Sequence, residues 1–547
     1  MKMNPFQFFL FLLVLSFSVQ GNAQVDAPKL VVTLVVDQMR AEYLDRYSSK
    51  YGDHGFKKLK KEGFHFRNGH FTYMPTTTGP GHAAIYSGAL PSVSGVIGNG
   101  WYDRSKRKSV NVVGGNEKYR TIGAPDSILT GQAGPDHLIV TTIADELKLA
   151  SQFRSKTISV SLKDRAAIMG GGHTADGAYW YDGLTGRFVT SSYYMEEVPD
   201  WVSTFNQNGM VDSMSNLVWN LSFPLSEYIE SRSDDNTFEY KIRGKTAPVF
   251  PYDLGALNEG LDSYFLMPYT PFSNDLLVAF AKQAVINEQM GKDNETDFLA
   301  ISFSSTDYSG HAFGPYSVEI EDLYIKLDRT IENLIRFLDG SIGKEGYVIV
   351  LTSDHGAVPA PRYLRSKKLP GGFNNQNALA FLVNTHIKKT FNIDSIIEYQ
   401  DNMSFYLNHD KIKGQDAYRK ISEEIKMLLE KDATILGAYT RESLQMYGGD
   451  MPAHVKLLQN GFFPGRSGDI FFISRPGWLD FSSRITTSHG SPYVYDTHVP
   501  IIFYGKGVPQ GSTVRKVAVT HIAPSLAMMC GVMFPSGSTG EVLLELF

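Results

Sequence analysis

The sequence predicts an α/β fold with a mainly parallel central sheet between helices. Continuous apolar and β-branched runs are typical of strands that are buried on both faces, as in a parallel sheet covered by helices. These runs are Lys29–Val36, Lys156–Leu162, Phe298–Phe303, Tyr347–Thr352 and Pro500–Tyr504. Helical patterns alternate with them, at Thr141–Ala150, Asn274–Met290, Val318–Leu338 and His521–Cys530. Alternation of this kind over most of the chain indicates α/β architecture.

Two stretches interrupt this alternation and predict insertions. Residues 170–271 are rich in Gly, Tyr, Ser and Asp, and they predict a hairpin of Ala178–Asp182 and Arg187–Thr190. Residues 359–480 predict a smaller α+β insertion, with strands at Ala378–Val383, Met403–Leu407 and Asp469–Ile473 and a helix at Asp416–Lys431. We expect both insertions to cap the site of a main domain that spans residues 24–547.

The N-terminus, residues 1–23, has the features of a secretory signal peptide. Lys2 supplies a positive start, Phe6–Val19 is almost wholly apolar, and Gly21-Asn22-Ala23 offers small residues for cleavage. The alternative is a membrane anchor, but the apolar run is short for a span and lacks flanking charges after it. No later segment of the sequence is apolar enough to cross a bilayer. We therefore expect an exported protein, periplasmic, at the cell surface or secreted, without an anchor after signal cleavage.

Composition narrows the classes of function. The formal net charge is −5 and no long basic run is present, so nucleic-acid binding has no support. The single cysteine, Cys530, cannot form a disulfide within the chain. Any metal must therefore be held by histidines and carboxylates rather than by a set of thiolates.

Acidic and histidine side chains follow the predicted strands at the point where each strand ends. These residues are Asp37, Asp307, His311, Asp354 and His355, and His489 lies shortly before the last strand. Ligands in α/β sheets bind beyond the carboxyl ends of the strands. Each residue alone has an ordinary alternative, such as a helix cap or a turn. The set as a whole predicts a site for divalent cations, with zinc the usual occupant.

The stretch Thr76-Thr77-Thr78-Gly79-Pro80-Gly81-His82 predicts the start of a helix. Proline suits the first helical position, which makes Thr78 or Gly79 the expected N-cap. A hydroxyl there lies among unpaired N–H groups at the positive end of the helix dipole, a place that suits an anion. The alternative is an ordinary threonine cap.

Taken in chain order, these motifs resemble those of the alkaline phosphatase superfamily over essentially the whole mature chain. The shared motifs are Asp37, Thr78-Gly79-Pro80-Gly81-His82, Asp307-x-x-x-His311, Asp354-His355-Gly356 and His489-Gly490. The closest resemblance is to the PafA-type, phosphate-irrepressible alkaline phosphatases. It rests on Val36-Asp37-Gln38-Met39-Arg40, Gly98-Asn99-Gly100-Trp101-Tyr102-Asp103, Ser161-Leu162-Lys163-Asp164-Arg165 and Tyr495-Asp496-Thr497-His498. The resemblance implies a three-layer sandwich around the sheet.

The resemblance also implies a role for each residue of the site. One zinc ion would be held by Asp37, Asp354 and His355, together with the nucleophile Thr78. The second zinc ion would be held by Asp307, His311 and His489. The phosphoryl group would be contacted by Asn99, Lys163 and Arg165. His82 and His498 receive no role.

The chemistry of these residue types agrees with that assignment. A threonine hydroxyl is a poor nucleophile at neutral pH, and coordination by zinc favours its alkoxide. We expect Lys163 and Arg165 to lie on one extended segment, with both cations on the same face toward the same anion. The sequence therefore predicts an alkaline phosphatase that hydrolyses phosphate monoesters by double displacement. A phospho-threonine forms first, and its hydrolysis releases inorganic phosphate.

Other functions remain as alternatives. A phosphodiesterase or nucleotide pyrophosphatase of the same superfamily would use the same metals, but a diester carries less charge for Lys163 and Arg165 to bind. A formylglycine sulfatase is disfavoured because threonine occupies the nucleophile position, and a metal-bridged mutase would have little use for an exported chain. A secreted non-catalytic binding protein would not need the intact set of ligands. The expected partners are small-molecule phosphate monoesters, and we expect a monomer.

Overall fold

The computed structural model describes residues 26–260, 263–446, 451–480 and 485–547. The predicted signal peptide, residues 1–23, lies outside the described residues. The strands are β1 Leu30–Val36, β2 Phe64–His70, β3 Gly100–Asp103, β4 Lys108–Asn111, β5 Thr121–Ile122, β6 Thr157–Ser161, β7 Gly177–Asp182, β8 Arg187–Ser191, β9 Val218–Trp219, β10 Tyr252–Asp253, β11 Asp297–Phe303, β12 Tyr347–Thr352, β13 Gly372–Asn374, β14 Ile397–Asp401, β15 Ser404–Leu407, β16 Ile435–Thr440, β17 Ile470–Ser474, β18 Trp478–Asp480, β19 His498–Gly505 and β20 Gly511–Ala518.

The α-helices are α1 Tyr43–Arg46, α2 Phe56–Glu62, α3 Thr78–Ser87, α4 Pro91–Ser94, α5 Ile143–Ala150, α6 Asp164–Gly171, α7 Asp200–Gln207, α8 Met210–Met214, α9 Leu254–Asn258, α10 Phe272–Asn287, α11 Ser305–Phe313, α12 Val318–Ser341, α13 Pro361–Ser366, α14 Gln376–Phe391, α15 Gln415–Leu429, α16 Arg441–Met446, α17 Ala453–Gly461, α18 Val494–Thr497 and α19 Ile522–Cys530. Among the described residues, none of these helices is long and apolar enough to cross a membrane.

The predicted α/β architecture is confirmed by a ten-stranded sheet in the order β20-β2-β19-β12-β1-β11-β6-β7-β8-β5. Its centre is parallel, because β1 pairs in parallel with both β11 and β12, and β6 continues the pattern from β11 to β7. Strand β19 was expected to join this set but runs antiparallel to both β12 and β2. The sheet is therefore parallel at the strands that carry the acidic motifs and mixed toward its edges.

Helices cover both faces of the sheet, which makes three layers. Side chains of β1 alternate between two apolar clusters because successive residues of a strand point to opposite faces. Val32 and Leu34 pack with helices α10 and α12 on one face. Val31 and Val35 pack with α3, α5 and α19 on the other. Each strand of the centre is thus buried on both sides, as its continuous apolar sequence predicts.

The two interrupting segments differ in how they join the main domain. The predicted hairpin forms β7 and β8, but β7 pairs in parallel with β6, so this part of residues 170–271 extends the central sheet. Residues 359–480 contain a separate four-stranded sheet in the order β14-β15-β17-β16. Helices α14 and α15 pack on it through an apolar cluster of their own.

The strand predicted at Ala378–Val383 is wrong, because these residues belong to α14. The Asn375 side chain accepts a hydrogen bond from the Ala378 backbone N–H and so caps the start of that helix. The buried side chains Leu379, Val383 and Ile387 recur every four residues, which is a helical rather than a strand period.

The N-cap of α3 lies one residue before Thr78 and two before Gly79, the two residues predicted for that position. The helix begins at Thr78, and its N-cap is Thr77, whose backbone is extended (φ −133°, ψ 162°). Pro80 therefore lies in the third helical position rather than the first. Its missing N–H is harmless there, because the N–H groups of the first turn have no partner within the helix.

Candidate active site and metal centre

The parallel centre of the sheet brings the predicted ligands together at one edge. Asp37 directly follows β1, Asp354 and His355 follow β12, and Asp307 lies in α11 just after β11. Because β12, β1 and β11 are adjacent and parallel, their carboxyl ends meet. These acidic and imidazole side chains are almost completely buried.

The first candidate metal-binding group consists of Asp307, His311 and His489. Their potential ligand atoms lie within 4.8 Å of one another. Asp307 Oδ1 is 3.2 Å from His311 Nε2 and 3.7 Å from His489 Nε2. Each imidazole donates its Nδ1–H to a backbone carbonyl at 2.8 Å, that of Thr487 for His311 and that of Thr76 for His489. Both Nε2 atoms therefore present a lone pair to the centre, as metal-binding histidines do.

The second group lies around His355. Asp37, Asp307 and His355 place potential ligand atoms within 4.8 Å, and His355 Nε2 is 3.4 Å from Asp37 Oδ1 and 3.6 Å from Asp354 Oδ2. The buried atoms Asp37 Oδ1, Asp354 Oδ2 and His355 Nε2 have no hydrogen-bond partner within the part of the chain that the structure describes. His355 Nδ1 donates to the Gly356 carbonyl at 2.9 Å, which turns the bare Nε2 toward the carboxylates. Buried polar atoms without partners are costly, and a divalent cation fits this donor set.

The electrostatics of the cluster also favour a bound cation. Burial and the neighbouring carboxylates of Asp307 and Asp354 raise the pKa of Asp37 well above its usual range. Burial opposes ionisation of Asp307 too, but the charges of His311 and Lys163 hold the pKa of that carboxyl well below its usual range. Ionised carboxylates this close repel one another, and a cation between them removes that repulsion.

Thr78 is distant from these residues in sequence, but its helix starts beside them, because the carbonyl of Thr76 accepts from His489 Nδ1 at 2.8 Å. Its side chain is buried at the first position of α3, and the next residue, Gly79, donates its backbone N–H to Asn99 Oδ1 at 2.7 Å. That bond turns the amide oxygen of Asn99 to the helix and leaves the amide NH₂ as a donor. Gly81 allows the helix to approach Asp354, because a Cβ at this position would lie 2.3 Å from the Asp354 carbonyl oxygen.

Lys163 is bound to the acidic cluster rather than displayed on an open strand. Its Nζ lies 2.7 Å from Asp37 Oδ2 and 2.5 Å from Asp307 Oδ2, and burial is offset by these charges so that the pKa of Lys163 is raised. Two of the three ammonium N–H groups can serve these carboxylates, which leaves one for a ligand.

The expected extended segment through Lys163 and Arg165 is wrong. Strand β6 ends at Ser161 and α6 begins at Asp164, so Lys163 is the N-cap and Arg165 lies in the first helical turn. Arg165 Nε is buried and has no hydrogen-bond partner among the described residues, and the guanidinium has an ion-pair contact with Asp164 at 3.5 Å. Lys163 Nζ lies 5.5 Å from the centroid of the Tyr308 ring. Burial raises the pKa of Tyr308, and the charges of Lys163 and Arg165 oppose this rise.

The two histidines without an assigned role differ in their surroundings. His82 is fully buried, donates from Nδ1 to the Thr78 carbonyl at 2.9 Å, and has its Nε2 2.8 Å from Ser302 Oγ. Its spacing of four residues from Thr78 within one helix is the sequence signal for that contact. His498 instead stacks on His70 with ring centroids 4.7 Å apart and donates to the Arg67 carbonyl.

Two further side chains contact the candidate ligands or their neighbours and were not predicted from the sequence. Ser353 Oγ accepts from the Met39 backbone N–H at 2.9 Å and donates to the His355 carbonyl at 2.7 Å. The Gln38 side chain donates to Asp307 Oδ1 at 2.6 Å. Neither residue type has a sequence signature for such a contact, so only the folded chain reveals it.

Comparison with known proteins identifies relatives over nearly the full length. A family model described as type I phosphodiesterase / nucleotide pyrophosphatase matches residues 31–492. The chain is 38% identical to alkaline phosphatase PafA of Elizabethkingia meningoseptica over 99% of each chain. It is 39% identical to alkaline phosphatase PhoV of Synechococcus elongatus, over 95% of this chain and 93% of that protein. A crystal structure of wild-type alkaline phosphatase PafA is similar with a TM-score of 0.90 and 37% identity, covering 95% of this chain and 99% of that one.

Proposed function

Because the chain belongs to the type I phosphodiesterase / nucleotide pyrophosphatase family, within the alkaline phosphatase superfamily, we propose as its function the hydrolysis of phosphate monoesters, the activity of an alkaline phosphatase. One observation carries the proposal. A buried ammonium group, that of Lys163, lies against the carboxylates of Asp37 and Asp307 beside a cluster of unpartnered metal-ligand atoms. Such a site combines metal ligands with fixed positive charge for a dianionic phosphoryl group.

We assign two zinc ions to the cluster. Asp37, Asp354 and His355, with Thr78, would hold one ion, and the unpartnered atoms of the first three support that assignment. Asp307, His311 and His489 would hold the other, supported by their mutual distances. When bound, the ions supply Lewis acidity that favours a threonine alkoxide and stabilises charge on the attacking and leaving oxygens.

The protein groups carry out a double displacement. Thr78 Oγ1 loses its proton and attacks phosphorus, the bond to the substrate's alcohol oxygen breaks, and that oxygen takes up a proton and leaves as the alcohol while a phospho-threonine forms. Water then loses a proton and attacks phosphorus, the bond to Thr78 Oγ1 breaks, Thr78 regains a proton, and inorganic phosphate leaves. Thr78 at the start of α3 lies where the helix dipole favours the negative phosphoryl group.

Asn99, Lys163 and Arg165 bind the non-bridging oxygens. The amide NH₂ of Asn99 and the remaining N–H of Lys163 are available as donors, and the partly exposed guanidinium of Arg165 adds the second cation. The transition state of phosphoryl transfer spreads charge over these oxygens, so fixed donors there lower the barrier.

Diester hydrolysis is the second candidate, because the matching family is described by that activity. A monoester at neutral pH carries about two negative charges, whereas a diester carries one. Two cations near the phosphoryl position therefore favour the monoester. A diester also requires space for a second substituent.

The remaining expectations extend the proposal to the whole chain. We assign export to the segment of residues 1–23, with a periplasmic, cell-surface or secreted destination, and we expect a monomer. Residues 359–480 act as a cap. A cavity of about 260 Å³ supports this, because its lining includes Thr77 and His489 of the site and Asn402, Met403 and Trp478 of the insertion.

A direct test measures turnover and metal content of the purified full chain together. We expect hydrolysis of p-nitrophenyl phosphate far above that of bis(p-nitrophenyl) phosphate, two zinc ions per chain, and loss of turnover after chelation that zinc restores. A preparation that binds no metal and turns over neither ester would contradict the enzyme. Preference for the diester would instead support the second candidate.

A further inference from the structure

Gln38 connects the ligands of the two metal centres. Its backbone N–H donates to Asp354 Oδ1 at 3.2 Å, and its side-chain Nε2 donates to Asp307 Oδ1 at 2.6 Å. Asp354 follows β12 and Asp307 follows β11, the two strands that flank β1. Gln38, two residues beyond the end of β1 and only 3% exposed, thus lies between one ligand of each centre.

The backbone of Gln38 is held in an uncommon conformation. Its φ is +65°, in the left-handed region that residues with a side chain rarely adopt. This conformation lets one residue use its N–H toward the β12 side and its amide toward the β11 side. A glycine would reach the same backbone conformation without strain but would lack the amide.

Helix α11 leaves space for this amide. A Cβ at Gly310 would lie only 1.9 Å from Gln38 Oε1, so no residue with a side chain fits there without displacing the amide. Gly310 has no left-handed φ that would otherwise require glycine. The close approach to Gln38 therefore explains why glycine occurs in the helix between Asp307 and His311.

We propose that Gln38 is a positioning residue that fixes the two centres relative to each other, an inference that rests on the proposed metal-dependent function. Asp307 Oδ1 faces His311 and His489, and Lys163 occupies Oδ2, so Gln38 completes the restraint on that carboxylate. At Asp354 the backbone N–H occupies Oδ1, which leaves the unpartnered Oδ2 toward His355. Gln38 acts through these ligands rather than on the substrate.

The test is a zinc titration of the metal-free full chain with a competing chromophoric chelator, independent of turnover. Q38M keeps the length of the side chain but removes its donor, and Q38G removes the side chain without backbone strain. The matched control is Q152M. Gln152 also has a left-handed backbone conformation (φ +52°), but it is exposed and distant in sequence from Gln38 and from the proposed ligands. We expect both Gln38 variants to bind one of the two zinc ions about 10- to 100-fold more weakly than the wild type. Q152M should bind both normally.

The outcomes separate this inference from the proposed function. If the wild type binds two zinc ions and both Gln38 variants match it within about twofold, Gln38 does not position the ligands. Weakening in Q38M alone would also overturn the inference, because the missing donor is common to both variants. Thermal melting of the metal-free proteins shows whether each variant is folded. A wild type that binds no zinc would contradict the proposed function itself.

Discussion

Two buried aspartates in different parts of the molecule, Asp354 at the site and Asp469 in the insertion, have opposite surroundings. Both side chains have no solvent exposure. Asp469 Oδ1 accepts from His409 and Tyr418 at 3.0 and 3.1 Å, and Oδ2 accepts from Arg104 and the Leu407 backbone N–H at 2.8 Å each. Among the described residues, Asp354 Oδ2 has no hydrogen-bond partner: the nearby His82 Nδ1, at 3.4 Å, donates to the Thr78 carbonyl instead, and His355 Nε2, at 3.6 Å, is itself without a partner.

The difference separates an acid whose hydrogen bonds the protein supplies, Asp469, from one that we propose as a metal ligand, Asp354. A buried charge whose hydrogen-bonding capacity is filled by the protein stabilises the fold around it. A buried carboxylate oxygen without a partner, beside an imidazole nitrogen without a partner, needs a group that the protein chain does not supply, such as a cation. Buried acidic side chains therefore do not mark a site by their number, and the unfilled atoms are the informative feature.

Two threonines show a similar contrast between a structural role and a proposed catalytic role. Substitution of the catalytic one should have the largest effect on activity. The Thr440 hydroxyl caps α16 by accepting from the Ser443 backbone N–H at 3.1 Å, whereas α3 has no side-chain cap. T78A should lower kcat about 10⁴- to 10⁶-fold with little change in thermal stability, because the nucleophile is lost. T440A should leave kcat unchanged and lower the free energy of unfolding by about 1 kcal/mol. Steady-state kinetics and denaturant titration measure both, and substantial turnover by T78A would break the contrast.

Exchange of each aspartate for asparagine tests the comparison itself. D354N should lower kcat/KM about 10³-fold, since a weakened metal centre loses several kcal/mol of charge stabilisation. D469N should keep normal kcat/KM but lose about 2–3 kcal/mol of stability, because charged hydrogen bonds are replaced. Kinetics in excess zinc and urea unfolding provide the two measurements. Equal losses of activity would remove the distinction between ligand and structural acid.

For the two cations Lys163 and Arg165 we predict a smaller effect on kcat/KM, and its size should depend on the substrate. R165A removes a guanidinium that contacts Asp164 and, in the described part of the chain, forms no ion pair with the proposed metal ligands. We expect monoester kcat/KM to fall about 10²-fold and diester kcat/KM less than about tenfold, because Arg165 binds charge that only the monoester carries. K163A should reduce both activities, since Lys163 also holds Asp37 and Asp307. Equal losses in R165A would mean that Arg165 does not recognise the dianion.

The smallest effect concerns acid stability. Burial opposes ionisation of Asp469, but His409 and Arg104 lower the pKa of its carboxyl below the ordinary value of 3.8. A lowered folded-state pKa stabilises the protein above about pH 4, and this contribution disappears as the pH falls through the folded-state pKa. The stability difference between the wild type and D469N should therefore shrink toward low pH. A difference that stays constant down to pH 2 would contradict the assignment.

Much of the site could be predicted from the sequence because its residues follow strands with strong signals. The buried strands β1, β11 and β12 have continuous apolar sequences, and parallel pairing brings the residues at their ends together. The residues of α14 that were predicted as a strand are preceded by a signal for a helix start, because Asn375 is a favourable N-cap residue. Asp164, in the first turn of α6, likewise signals a helix start where an extended segment was expected.

Other features depend on the folded chain. The left-handed backbone of Gln38 and its two contacts arise from the positions of β11 and β12, which are distant in sequence. The partners of Lys163 were not predictable either, because two carboxylates more than one hundred residues away in sequence determine where its ammonium lies. Local sequence patterns thus predict which residues come together, but not which of their atoms remain without a hydrogen-bond partner.

The most direct test of the central claim is to trap the covalent intermediate. The wild type, mixed with p-nitrophenyl phosphate and quenched in acid within milliseconds, should yield a peptide that carries phosphate on Thr78, identified by mass spectrometry. T440A should give the same phosphopeptide, and T78A should give none. Rapid turnover by the wild type with no phosphate on Thr78, or with phosphate on another residue, would contradict the account.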